Sequence, residues 1–151
     1  TVGILFGATT PAVNAGDVTS TRLFGQPFEW TNVSRWNHEP AVSTFPNNGN
    51  DGHTFDVIIN TGNFVELDQS VSIDSLFLHG AIDLGDSTLD IEGDLQAIIA
   101  TLTGGVVTAE EVRITSTNLN LNDTLATFQG VEIQNNATLL LNGGTVLELN
   151  A

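Results

Sequence analysis

The sequence predicts an all-β chain wound into a parallel β-solenoid, and three observations carry that prediction. The first is a small unit repeated from Val65 to Leu149: an apolar residue, any residue, an apolar residue, then a turn rich in Gly, Asn, Asp or Thr. Val65-Glu66-Leu67, Leu76-Phe77-Leu78, Ile82-Asp83-Leu84, Leu89-Asp90-Ile91, Val112-Arg113-Ile114, Leu119-Asn120-Leu121, Val131-Glu132-Ile133, Leu139-Leu140-Leu141 and Leu147-Glu148-Leu149 fit it. Each unit is too short for a helix and alternates with period two, the pattern of a short strand with one face inward.

The second observation is a longer period. Leu76, Ile98, Leu119 and Leu139 lie 22, 21 and 20 residues apart, and Val65, Leu89, Val112 and Val131 lie 24, 23 and 19 apart. A weaker series runs Ile82, Val106, Leu125, Val146. Three short strands per coil of roughly 20 residues build a solenoid, in which no coil buries its apolar face alone and neighbours share one core. The third observation concerns the turns. The rival fold, a sandwich or jelly roll of hairpins, wants longer strands and paired two-residue turns such as Asn-Gly, whereas the turns here are irregular.

Taken in order, residues 1–15 read as an apolar arm. Thr1-Val2-Gly3-Ile4-Leu5-Phe6-Gly7-Ala8 is almost wholly apolar and breaks at Thr9-Thr10-Pro11. Such a terminus needs a cover. It is expected to be tucked against its own domain or donated as a strand to a neighbouring copy through Val2, Ile4, Leu5 and Phe6. Val13-Asn14-Ala15 also has the small-residue spacing of a secretory cleavage site.

Residues 16–55 read as an irregular aromatic cap. Trp30 and Trp36 lie there with Phe24, Phe28 and Phe45, among Gly, Pro and Asn breakers. The aromatics are expected to shield the first coil, with a sugar-stacking platform at Trp30 and Trp36 as the functional alternative. Residues 56–151 are the coils.

The run Trp30, Arg35-Trp36, Pro46-Asn47-Asn48-Gly49, Phe55 to Asn60, Val65 to Asp68, Val71 to Leu78 and Leu89 to Leu95 resembles the opening of large secreted bacterial proteins of the PEP-CTERM and autotransporter β-strand-repeat type. That resemblance spans about residues 30–149. It implies a right-handed parallel β-helix at a cell surface or in an extracellular matrix, and it implies no catalytic residues. The short length and the apolar arm depart from the pattern.

Stacking places the middle residues of the units in outward columns about 4.8 Å apart. One column is Glu66, Asp90, Arg113, Glu132, which sets Arg113 between two acids. A second is Phe77, Ile99, Asn120, Leu140. The sequence stops in a strand pattern at Leu147-Glu148-Leu149, so Leu147 and Leu149 are expected at a subunit interface, joining head to tail with the N-terminal arm.

Composition narrows the partners. Eighteen acids face three arginines and no lysine, a net charge of −15, which speaks against nucleic acid or an anionic membrane. Like copies repel at low salt, and divalent cations or high ionic strength relieve this. There is neither cysteine nor methionine, so no disulfide framework is expected. With abundant Asn, Thr and Gly, the composition favours an extracellular, processed chain or fragment. No apolar run approaches the length of a membrane-spanning helix.

Chemistry is sparse. His38, His53 and His79 share no metal-ligand spacing, and no nucleophile elbow, phosphate loop or dinucleotide fingerprint occurs. Calcium is the expected ligand if there is one, at the turn oxygens of Asn50, Asp51 and Asp86; otherwise these are turn formers. The expected function is a non-catalytic secreted structural protein that assembles head to tail into a filament or matrix. A carbohydrate-binding or adhesion module for extracellular polysaccharide is the alternative. A polysaccharide-cleaving enzyme using the acids from Asp83 to Asp94 is a third.

Overall fold

A computed structural model describes residues 16–150. Nine strands follow in order among them: β1 (Val18–Arg22), β2 (Phe28–Glu29), β3 (Trp36–Glu39), β4 (Phe55–Glu66), β5 (Val71–Ile73), β6 (Ser75–Asn122), β7 (Leu125–Ile133), β8 (Thr138–Asn142) and β9 (Val146–Leu149). All neighbours along the stack pair in parallel, β1 on β4, β4 on β6, β6 on β7 and β7 on β9; β3 alone runs antiparallel, on β1. The result is a β-solenoid of about five turns.

The alternation seen in the sequence sets the inside. In β4, Val57, Ile59 and Val65 point inward; their partners Leu76, Leu78 and Ile82 do the same one coil on, and all six are buried. On the next face Val71 pairs with Leu89 and Ile73 with Ile91, again all buried. Each such side chain contributes about 1.5–3 kcal/mol by leaving water. That gain exists only because the next coil covers it, so stability is shared along the stack. The 48-residue β6 winds through several corners. It turns them with left-handed residues at Gly85, Ile99, Gly104, Gly105 and Thr117.

Coil length varies. Val65 pairs with Ile82, 17 residues on, whereas Leu125 pairs with Val146, 21 on. This variation corrects several expected columns. Leu119–Leu139 and Val112–Val131 are neighbours as expected. Val65 stacks on Ile82 rather than Leu89, which stacks on Val71; Leu76 stacks on Val57, and Ile98 is only half-buried. Val106, Leu125 and Val146 do form a column, but they line the outside, and the core residues are the next ones along, Val107, Ala126 and Leu147. The left-handed glycine pair Gly104-Gly105 lies at the corner just before this strand.

Residues 16–55 combine a cap with a first coil. β1 and β2 stack on β4 through Val18–Phe55 and Phe28–Val65, while the segment between Trp30 and Phe55 folds back over them. There Trp30 and Trp36 pack at 4.9 Å between ring centres and Phe28 meets Trp36 edge-on at 5.9 Å.

Candidate functional site: the two ends of the stack

The two ends of a solenoid are its chemically distinctive places, since each carries strand edges and a core cross-section that the coils between them hide. The N-terminal end is covered by three devices. β3 lies antiparallel on β1, pairing Thr19–Glu39 through Arg22–Trp36. The loop before β4 covers β5: Asn48 N donates to Ser72 O at 2.7 Å, and Ser72 N donates to Asn47 Oδ1 at 2.9 Å. The tryptophans close the middle, Trp30 Nε1 donating to Pro46 O at 2.7 Å and Trp36 Nε1 to Trp30 O at 2.8 Å.

A charged residue also lies inside this cap. Arg22 is 2 % exposed and donates to Asn63 Oδ1 and to the carbonyls of Leu23, Gln26 and Phe64, with its guanidinium 4.3 Å from the Phe28 ring centre. Burial, and secondarily Arg35, lower its pKa. The carbonyls and the ring face hold the cation in place of a carboxylate.

The other end is open among the described residues. Core columns run into it without interruption: Leu121 stacks under Leu141 and Phe128 under Leu149. Leu121 and Phe128 are wholly buried, yet Leu141 is 49 % and Leu149 59 % exposed. Ile133 and Val146 are half-exposed beside them. Leu147, expected at an interface with Leu149, sits in the same rung, partly buried on Ala126. Val2, Ile4, Leu5 and Phe6, their expected counterparts, lie outside the described residues.

Trp30 and Trp36 are 0 % and 5 % exposed with both indole N–H groups bonded inside the protein. They form part of the core, and no stacking face is left for a sugar. Asn50 donates its amide to Thr44 Oγ1 and Phe45 O in a short 3-10 turn, Asp51 is exposed there with left-handed backbone, and Asp86 lies on a separate corner beside Gly85. Among the described residues no three His, Cys, Asp or Glu side chains converge on a point that would hold a metal ion.

The outward columns are also redrawn. Arg113 stands beside Glu132 and binds it, Nε to Oε2 at 3.1 Å. Asp90 instead neighbours Ser72, and its carboxylate accepts from Thr108 Oγ1. Asn120 does stack on Leu140, but its amide donates to Thr101 Oγ1, where Ile99 was expected, and Phe77 pairs with Ile58. Asp90, Glu92, Thr108, Glu110, Thr127 and Gln129 line a shallow, open depression on this outer surface.

The paired-asparagine cover of β5 was not foreseen as an end device. Its signal was the run Pro46-Asn47-Asn48-Gly49, in which short amides can bond backbone groups that a strand would otherwise serve. No family model, no curated protein and no solved structure matches the chain.

Proposed function

We propose that this chain is a non-catalytic structural module that joins copies of itself end to end, outside the cell. The observation that carries the reading is the passage from wholly buried Leu121 and Phe128 to half-exposed Leu141 and Leu149 in the next rung. Among the described residues this end presents a core cross-section and strand edges, which favour a further layer of β-structure. The occupant proposed is the N-terminal end of a second copy, with the apolar residues Val2, Ile4, Leu5 and Phe6 laid against the open rung. A contact between different surfaces of identical chains does not close on itself, so it yields a filament.

The charge of −15 sets the conditions. Copies repel at low ionic strength and approach once salt or divalent cations screen them. The resemblance to secreted β-strand-repeat proteins supports an extracellular site. The sugar-binding alternative loses its support with the burial of Trp30 and Trp36.

Sedimentation velocity over a concentration series, at low salt, at high salt and with calcium, tests the reading. Assembly is expected to grow with screening and to vanish in Leu141→Lys/Leu149→Lys and on deleting residues 1–8. A monodisperse monomer under every condition sinks it, and assembly indifferent to both changes places the contact elsewhere.

A further inference from the structure

The covered end holds a buried imidazole. His38 on β3 lies opposite Ser20 on β1 in the strand register, and Ser20 Oγ and His38 Nδ1 are 2.8 Å apart. The ring meets Phe55 edge-on at 6.2 Å. Ser20 is wholly buried and His38 is 9 % exposed; His38 Nε2 is buried with no hydrogen-bond partner among the described residues.

This setting suits a neutral ring. A protonated imidazole carries two N–H donors. Ser20 Oγ can accept one of them, which leaves Nε2–H as a charged, buried donor that makes no well-formed hydrogen bond among the described residues, the Thr44 backbone giving partial relief that burial outweighs. The charged and titratable groups on the surrounding elements do not supply one. Arg22, also on the buried face of β1, is itself a cation. Asp17 is taken by His53 and Thr54, Asp56 on β4 is half-buried and takes the Ser75 hydroxyl, and Glu39 is exposed on β3. None of them hydrogen-bonds the ring.

We propose that β3 is an acid-released latch: protonation of His38 leaves a charged Nε2–H buried without a hydrogen bond, β3 peels from β1, and the edge of the first coil is bared. β3 is suited to this, being a four-residue strand at the end of the sheet order that pairs with β1 alone. Burial holds the imidazole below its ordinary value, with the Thr44 backbone acting the other way. The peeled form, titrating near the ordinary value of about 6.5, binds the proton better. The latch is therefore fully held above that pH and loosens below it, the open population rising up to about tenfold per pH unit for one proton. If copies join end to end, and this consequence rests on that reading, the bared β1 edge becomes a strand on which another copy can pair, so acid promotes assembly.

The test uses the full chain. Hydrogen exchange of the β1 and β3 amides, corrected for intrinsic rates, is followed from about pH 7.5 to 5.5, a window spanning the ordinary imidazole value, with tryptophan emission and sedimentation. Wild type, His38→Phe and Ser20→Ala/His38→Phe are compared, with His79→Gln as control. The double variant removes both polar partners, so it keeps the comparison intact if a phenyl ring opposite a buried hydroxyl folds poorly. Wild type and control are expected to lose about tenfold of protection per pH unit below about 6.5, with emission shifting to the red as Trp36 is exposed, and the variants to stay flat. Unchanged protection in wild type, an equal loss in the double variant, or a His38 titration by NMR at or above about 6.5 overturns the latch. Acid-dependent opening without any gain in sedimentation upholds the latch and removes its link to assembly, while the salt series decides the end-to-end reading separately.

Discussion

The carboxamide oxygen of Asn47 accepts the backbone N–H of Ser72 at 2.9 Å, where a neighbouring strand would supply a carbonyl. Asn48 completes the imitation. Its N–H reaches Ser72 O, its Oδ1 accepts Phe55 N at 2.9 Å, and its Nδ2 donates to Asp74 at 2.7 Å and Glu92 at 3.2 Å. Asn47→Ala strands one backbone donor and is expected to cost about 1–2 kcal/mol. Asn48→Ala removes three side-chain contacts and is expected to cost more, about 2–3 kcal/mol. Urea unfolding with unchanged slope measures both.

Asp74 titrates in this same cluster. Burial raises its pKa, with repulsion from Glu92 and Asp56 adding to the rise and hydrogen bonds from Asn48 and Thr54 opposing it. As pH climbs, the unfolded carboxyl ionises first, so stability falls and stays lowered above the folded pKa. Asp74→Asn keeps an acceptor for Asn48 and is expected to stabilise the protein at neutral pH but not in acid well below the carboxylate range. Paired denaturant titrations at the two pH values check it.

Glu132 behaves in the opposite sense. Gln134 first and Arg113 second hold its carboxyl below the ordinary range. Its contribution is present above the unfolded value and lost as pH falls through the folded one. Side chains 26 % and 34 % exposed make the Arg113–Glu132 pair a weak one. A double-mutant cycle with Arg113→Ala and Glu132→Ala is expected to give under about 1 kcal/mol, declining with salt.

The corners answer to substitution in opposite directions. Ile99 has φ 46° and is 53 % exposed, so a branched side chain is held in left-handed backbone with little burial in return. Ile99→Asn is expected to raise stability by about 0.5–1 kcal/mol. Gly105 has φ 52°, and a methyl there would overlap the Ser87 carbonyl and stand 2.7 Å from Leu84 Cβ. Gly105→Ala is expected to cost about 2 kcal/mol or more. Thermal melts of the two variants should move apart.

The tryptophans offer a direct optical check. With both indoles buried and bonded, emission should be blue-shifted, resistant to acrylamide and unaltered by soluble glycans. Trp36→Ala is expected to cost about 3–5 kcal/mol by opening a cavity beside Trp30 and Phe28. A glycan-induced emission change would restore the sugar-binding reading.

Much of the coil stack was legible because period-two alternation survives wherever a strand is straight. Arg113 beside Glu132 and Leu119 beside Leu139 both follow from it. Columns crossing the corners were misplaced, as with Val65 and Leu89, since corners consume unequal numbers of residues and nothing in their composition counts them. Alanines hid part of the core: Ala97, Ala100, Ala109 and Ala126 are buried but give no strong apolar signal. The first coil was the least legible. β1 turns Ser20 and Arg22 inward, and the partners that make this tolerable, His38 and Asn63, lie 18 and 41 residues away.

The unequal coils have a bearing on misfolding. If every turn held the same number of residues, the chain could slide by one whole turn and still match apolar residues to apolar residues. With 17 residues from Val65 to Ile82, 18 from Val71 to Leu89 and 19 from Val106 to Leu125, the spacings differ by single residues, so such a slide puts side chains out of phase on some faces, driving acids inward and leucines out. The irregular lengths that obscure the pattern to a reader thus give the polypeptide a single alignment to settle into.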